Sequence, residues 1–513
     1  MLSAILCILV VTVVVYLGFS HKRPRQDSIP GPPFLRGLST LFSALIRNNL
    51  YQVAENWAGQ YGDLVEVNMG LGRLVFVNSP DLARLLLCDP RYRDVTNDRP
   101  STYMGQHTLF NGTYQDIMLA NFSSAFVKRR KFFHAALKMY GHGVEAFESL
   151  VQQTSSELTF RLENYPGNVP LKKELTAYIC HMVGLLLKGK NLRDTDLKVL
   201  VSWIDAGNEC IRFENETILR LFPFARFTPG LRIKTLIEEL NVCHKELSQA
   251  FFHDARESYL RGEKSGFIGE LLEQQGKLRE EGQGEELSDH VIMGLVVDIM
   301  SASFISTDST ICGLFLHLIR DHTIQDRIHK EIQTVIGDNP PGFEHRRHMP
   351  YTDAAILETL RFSSIAPLLV PHRTSSDVSI DGRVISRGST VLVNAWHIHH
   401  RPDLWHQPWT FRPERFLDSR GQLLDPEHPD RQKLLVFGTG PRACPGENFA
   451  RSRVFLVLVT LLQRFRFMPP VDDVLPSSHP RDWKLGSVFS PHNFQCRMEL
   501  RPGAGPSHVS QVK

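Results

Sequence analysis

The stretch Phe437-Gly438-Thr439-Gly440-Pro441-Arg442-Ala443-Cys444-Pro445-Gly446 concentrates residue types that could do chemistry. Three glycines and two prolines in ten residues make a tight, preset loop around one cysteine. A helical pattern begins just after it, at Glu447–Leu462, so Cys444 is expected near a helix N-terminus. There the dipole and the free N–H groups favour a thiolate, and Arg442 adds a positive charge. A buried cysteine can also be no more than a small hydrophobe. Apolar cover from Phe437, backbone donors and an adjacent cation are what a thiolate metal ligand needs for protection and tuning.

Helices must position that loop, because apolar residues at helical spacing dominate the chain. Val144–Leu162, Leu236–Tyr259, Val291–Arg320, Thr323–Ile336 and Arg453–Arg464 are examples. Strand signals are short: Leu64–Asn68, Leu74–Asn78, Val378–Ile380 with Arg383–Ile385, and Thr390–Asn394. Gly262–Asp289 is charged and reads as a surface connection holding one short helix. Leu219–Phe227 reads either as a helix end packed on the core or as an apolar patch dipping into a membrane interface. The chain has 513 residues, 42% of them hydrophobic, and a net charge of +3, a globular composition with no reason to expect a nucleic-acid partner. Eight cysteines, none in CxxC spacing, exclude a zinc ribbon and a disulfide scaffold.

Leu2–Gly18 is uncharged and apolar, and the cluster His21-Lys22-Arg23-Pro24-Arg25 follows it. That order reads as an uncleaved membrane anchor, in preference to a cleaved signal peptide, with the body in the cytosol. The sequons at Asn111, Asn121 and Asn215 then read as chance matches. Pro30-Gly31-Pro32-Pro33 reads as a stiff connector. The expected organisation is an anchor at 1–18, a basic and proline-rich linker at 19–34, a catalytic domain at 35–502 and a disordered tail at 503–513.

The cysteine loop resembles the heme-binding signature of the cytochrome P-450 superfamily: phenylalanine, two residues, glycine, one, arginine, one, cysteine, one, glycine. Glu358-Thr359-Leu360-Arg361 and Phe411-Arg412-Pro413-Glu414-Arg415-Phe416 follow the family's order, and the apolar N-terminus resembles its microsomal members. The resemblance implies a mainly α fold with a small β-rich lobe, a single large heme domain behind a transmembrane helix. It implies heme b with Cys444 as the axial thiolate, so Cys444 is also the metal ligand. Phe437 would shield the sulfur, and Arg442, Arg130, His372 and Arg99 would meet the propionates. Phe126 stands where the family has a tryptophan, so one propionate hydrogen bond is lost. Glu358, Arg361 and Arg415 would form a structural ion network. The histidines of Trp396-His397-Ile398-His399-His400 match a structural stretch rather than a metal site.

Val291–Arg320 would cross the distal face of the heme, where family monooxygenases carry an acid followed by a threonine. Aligned without gaps, Ala302-Ser303-Phe304-Ile305-Ser306 occupies that motif, with Ile305 in place of the acid and Ser306 in place of the threonine. Ala302, Leu369 and Val370 would face the pocket. Asp308, about 60° round the helix from Ile305, either substitutes for the acid through a water or faces another helix. Thr307 and Ser306, with Ser301 and Ser303, could order water.

Three functions follow. One is a monooxygenase of the endoplasmic reticulum membrane, fed by NADPH-cytochrome reductase and acting on a lipophilic substrate, steroid-like or aromatic. The second is an isomerase or dehydratase of lipid peroxides, and the third a non-catalytic heme protein. Lys128-Arg129-Arg130-Lys131 with Arg442 reads either as a cationic docking face for the reductase or as a solvated helix face.

Overall fold

The computed structural model describes residues 28–502, apart from positions 71, 143, 213, 214, 217, 220 and 221 and the side chains of 138–142 and 144–147. The expected anchor at 1–18, residues 19–27 of the linker, the expected tail at 503–513 and Thr217 of the third sequon lie outside the described residues.

The architecture is mainly helical. Five helices position the site: α1 (Ser124–His142), α2 (Leu171–Lys188), α3 (Asp289–Arg320), α4 (Pro350–Ser363) and α5 (Glu447–Arg464). α3 is apolar on nearly every face and runs through the core, packed on α2, α4 and α5. Among the described residues, one helical run, Gly284–Arg320, is long and apolar enough to cross a membrane, but most of it is buried inside the protein. Its hydrophobicity is that of a core helix. α4 starts at Pro350, which supplies a helical φ, and stops at Ser364 in the left-handed conformation.

The β-rich lobe is a four-stranded sheet of β1 (Leu64–Asn68), β2 (Arg73–Val77), β3 (His372–Arg373) and β4 (Thr390–Val393), in the order β1-β2-β4-β3. β1 and β2 form an antiparallel hairpin, with Leu64 opposite Val77, and β2 pairs parallel with β4. The proline segment is not free of the body: the Pro30 carbonyl accepts from the Glu66 N–H at 2.9 Å, and Ile29 is buried.

One segment departs from expectation. Gly262–Asp289 contains a fifteen-residue helix, Gly266–Glu280, that buries Phe267, Ile268, Leu271 and Leu272. Its apolar stripe is narrow, and its charges lie on the outer face, so it reads as a surface connection by composition alone.

The helical core is braced by the expected ion network. Arg361 donates from Nε and Nη2 to the two Glu358 oxygens at 2.8 Å each, with both side chains fully buried. Arg415 Nε adds a contact to Glu358 Oε1 at 3.2 Å.

Histidines from the same region are buried in their neutral form. His399 sits between the Ser364 hydroxyl and the Leu435 N–H, and burial followed by Arg361 pushes it down to about 3. His317 stacks on Phe411 at 4.3 Å, and burial followed by Arg320 pushes it down to about 3. A histidine lowered from its ordinary 6.5 binds its proton in the unfolded chain first. Its contribution is complete above 6.5 and is lost as the pH falls below that value. His317→Phe removes this titration. Its urea midpoint relative to the unmutated protein should rise steadily from pH 6.5 to pH 4, at up to about 1.4 kcal/mol per pH unit. A constant difference across that range refutes the prediction.

Candidate active site

The cysteine loop hangs between β-lobe and helical core, held by local hydrogen bonds. Cys444 N–H donates to the Phe437 carbonyl at 2.7 Å, and Gly438 N–H to the Leu435 carbonyl at 2.8 Å. Gly438 and Gly440 both have positive φ, 69° and 73°. At Gly440 a Cβ would stand 2.3 Å from the Leu87 carbonyl oxygen, so the loop needs glycine there for space as well as conformation.

The loop opens onto a cavity of about 390 Å³. Cys444, Phe437, Arg442, Arg130, Arg99 and His372 all line it, and so do Ala302, Ser306 and Thr307 from α3. Leu369 and Val370 complete the expected wall. The sequence-predicted residues thus converge on one space, with a single exception. Asp308 faces away from it: its Oδ1 accepts from the Thr176 hydroxyl of α2 at 2.6 Å, with Cys312 on the same side. Burial pushes this carboxyl up. Asp308 is therefore a helix-packing acid and does not substitute for the missing distal acid. Losing a relay acid costs about 10²–10⁴ in rate. Asp308→Asn, which keeps the Thr176 contact, is expected to change turnover by less than about tenfold; a larger loss in steady-state product formation refutes this placement.

The hydroxyl-rich turn is less free than its composition implies. Ser306 Oγ donates to the Ala302 carbonyl at 2.6 Å, Ser301 to Val297 at 2.7 Å and Thr310 to Ser306 at 2.8 Å. Each proton is spent within the helix, leaving these oxygens as acceptors. The Ser303 hydroxyl is buried without a partner. Ile305 lines the cavity and brings no proton.

Among the lining residues that the sequence reading did not single out, Asp298 and Arg453 stand out. Asp298 lies one turn before Ala302, and its oxygens accept from the Ile117 and Met118 N–H groups at 2.8 and 3.1 Å. Burial and the neighbouring Asp116 push its carboxyl well up. It is the carboxylate on the cavity wall among the described residues. Arg453 of α5 is the other, reaching Thr307 Oγ1 at 3.1 Å. For Asp298 the signal was a charged residue inside a long apolar run, and for Arg453 a charge at the head of one.

Heme fits this cavity on three observations. The Cys444 sulfur is accessible to the cavity although it lies deep in the protein. Arg99, Arg130 and Arg442 crowd the cavity with no carboxylate in ion-pair range among the described residues, a demand for anions that two propionates meet. Burial pushes Arg99 down to about 9 and Arg442 to about 10, and His372, buried beside them, is held well below its ordinary range. The third observation is the sulfur itself. The expected thiolate does not form from the loop alone: burial pushes the Cys444 thiol up, against a backbone hydrogen bond from Gly446 and the charges of Arg130 and Arg453. A bound cation would supply the missing stabilisation, since a coordinating thiol is deprotonated outright.

The guanidiniums are already anchored. Arg442 donates to the Asn97, Ile117 and Ala120 carbonyls and lies 3.9 Å from the Phe126 ring centre. Phe126 thus supports Arg442 from the position where an indole donor was expected. Arg99 donates to Met118, Val370 and Pro371 carbonyls at 2.8–3.1 Å. Arg130 donates to the Ala443 carbonyl at 2.6 Å.

This geometry disperses the basic cluster. Arg442 is buried and Arg130 turns into the cavity, while Lys128 pairs with Glu286 and Arg129 donates to Gln115 and the Asp116 carbonyl. The histidine run forms no metal site: among the described residues no cluster of three metal-ligating side chains occurs.

Comparison with known proteins agrees with the site. The profile of the family described as Cytochrome P450 matches residues 29–498. Steroid 17-alpha-hydroxylase/17,20 lyase of Gallus gallus is 29% identical over 499 residues, 94% of this chain and 93% of that protein. Farnesoate epoxidase of Bombyx mori is 28% identical, over 97% of this chain and 99% of that protein. Cytochrome P450 2D6 of Homo sapiens is 28% identical, over 92% and 95%. A zebrafish cytochrome P450 solved with progesterone superposes with a TM-score of 0.73 at 25% identity, over 88% of this chain and 99% of that one. The open cysteine, the cation cluster and the central helix are therefore parts of a heme-thiolate monooxygenase, and the chain belongs to the cytochrome P450 family.

Proposed function

We propose that this protein is a membrane-anchored monooxygenase that inserts one oxygen atom from O2 into a rigid lipophilic substrate, steroid-like or aromatic, with electrons from NADPH-cytochrome reductase. One observation carries the reading: the Cys444 sulfur and Ala302 with Ser306 line one largely apolar cavity, with the arginine cluster at its wall. Heme held by a cysteine thiolate supplies dioxygen binding and the electron push that favours O–O cleavage.

The chain's own residues do the rest. Cys444 is the ligand, Arg99, Arg130, Arg442 and His372 hold the acid side chains of the cofactor, and Phe437 covers the sulfur. Ala302, the small residue of α3 exposed to the cavity, leaves room for a bulky flat substrate against Leu369 and Val370. Ser306 positions a water by accepting, while its own O–H stays directed at the Ala302 carbonyl. Ile305 offers no proton, and the Asp298 oxygens are held by the Ile117 and Met118 N–H groups, an arrangement that favours slow or loosely coupled turnover. The steroid and farnesoate names of the relatives support a lipophilic substrate.

Membrane attachment rests on the apolar Leu2–Gly18 run. Phe42, Ile46, Phe224 and Phe227, which project into solvent, support a body lying against lipid.

The absent distal acid favours one second reading, isomerisation of a lipid peroxide, which needs neither external electrons nor a proton relay. The ferrous carbon-monoxide difference spectrum separates the two. The full-length protein in membranes is reduced by NADPH with reductase, and separately by dithionite. The monooxygenase reading expects the thiolate band with both. A band with dithionite alone leaves the monooxygenase reading without its electron supply and overturns it, and turnover of a lipid peroxide by the same sample then carries the second reading.

A further inference from the structure

Two stretches of chain share the cavity wall. One runs up to the start of α1 and contributes Ile117 and Met118; the other leads into β3 and contributes Leu369, Val370 and His372. Among the described residues no hydrogen bond joins the two stretches directly. What joins them is the pair Asp98-Arg99, which belongs to neither.

Asp98 forms an isolated antiparallel bridge with Arg373, its carbonyl accepting from the Arg373 N–H at 2.8 Å. Its Oδ1 accepts from the Phe122 N–H at 3.0 Å. Arg99 repeats the pattern. Its N–H donates to Asn121 Oδ1 at 3.2 Å, its Nε to the Met118 carbonyl at 3.0 Å, and its Nη1 to the Val370 and Pro371 carbonyls at 3.1 and 2.8 Å. Two residues thus make six hydrogen bonds, three to each stretch. Pro100 follows, and a residue before proline is biased towards extended backbone, so the pair resists coiling to absorb a change of spacing. Arg99 also lines the cavity, whereas Asp98 does not. The Asn121 side chain, a chance sequon by sequence, finds its use here as an acceptor.

We propose that Asp98 is a positioning residue for substrate specificity: it spaces the two stretches of wall and so sets how wide a flat ligand the cavity accepts. This rests on the reading of the cavity as a substrate pocket and deepens it. An apolar pocket discriminates by fit, and one methylene more or less is worth about 10–200-fold. A change of spacing is therefore read as selectivity between ligands of different width.

The test titrates the heme-loaded full chain with two probes, phenylimidazole as the narrow one and naphthylimidazole as the wide one, by their difference spectra. The ratio of the two affinities cancels the amount of folded, heme-loaded protein. Asp98→Ala should raise the naphthyl-to-phenyl ratio by roughly tenfold, the low end of that range. Asp98→Asn, which keeps an oxygen for the Phe122 N–H, should restore most of the unmutated ratio. Asn121→Ala removes another bond of the same set from an exposed side chain and should move the ratio in the same direction as Asp98→Ala. An unchanged ratio in Asp98→Ala overturns the proposal, and if that chain takes up no heme the ratio in Asn121→Ala decides in its place. Equal shifts in Asp98→Ala and Asp98→Asn also overturn it, because the charge that Arg442 senses would then matter rather than the spacing. The unmutated protein keeps the two readings apart. If it gives neither the thiolate band nor a probe spectrum, the cavity reading fails and takes the spacer with it; if it gives both and the ratios do not move, only the role of Asp98 fails.

Discussion

A Cys444→Ser chain is expected to lose the red-shifted ferrous carbon-monoxide band completely and to form product only at background rate. Serine offers a hard oxygen whose hydroxyl is far more reluctant to ionise than a thiol, and the pocket already resists ionisation: burial outweighs the Gly446 hydrogen bond and the flanking cations at the thiol. The electron push that favours O–O cleavage belongs to the thiolate, so its loss removes chemistry rather than binding. The cation cluster is untouched by the substitution, and the variant should still take up heme in part. Heme content, the carbon-monoxide spectrum and product yield together check this. A variant that keeps the thiolate band would show that another sulfur binds the metal.

The second large effect is on folding. Glu358→Ala leaves Arg361 and Arg415 facing each other in a site from which water is excluded, and it strips the Arg412 N–H of its acceptor at 2.9 Å. Breaking a buried pair from one side costs about 3–5 kcal/mol, a large share of the roughly 5–15 kcal/mol that holds a typical domain together. Arg361→Met should cost less, because Arg415 and the Arg412 N–H still serve the carboxylate, although the His399 and Pro408 carbonyls lose their donors. The expected order of denaturant midpoints is unmutated protein, then Arg361→Met, then Glu358→Ala. A Glu358→Ala midpoint equal to that of the unmutated protein would remove the network from the list of structural braces.

Much of the site was legible because its signals are local. The cysteine loop announces itself through glycines that a tight backbone demands, and the structure shows why at Gly440, where no side chain has space. β1 falls where alternation placed it, and β2 and β4 differ from expectation only at their ends. What stayed hidden is rotation. α3 is buried almost all round, so it has no polar stripe to say which residues face the cavity. Helical spacing put Asp308 within reach of the Ile305 face, but only the packing of α2 decides that Thr176 claims it. Arg453 illustrates the same limit: at the head of an apolar run, a charge signals that something must neutralise it but not what. The Gly266–Glu280 helix was obscured for the opposite reason, since its outer charges outnumber the apolar residues it buries.

The cluster of Arg99, Arg130 and Arg442 also bears on how the protein matures. Three guanidiniums held at the cavity wall by backbone carbonyls, with no acid in ion-pair range among the described residues, leave a positive field that the more distant Asp98, Asp116 and Asp298 offset in part. A ligand that binds only the folded form stabilises it by mass action. The cofactor's two acid groups thus act as counter-ions that complete the fold, and cofactor supply sets how much chain survives as folded protein. The chain newly released from the ribosome is accordingly a receptor for a dianion, closing least readily around a tetrapyrrole whose acid groups are esterified.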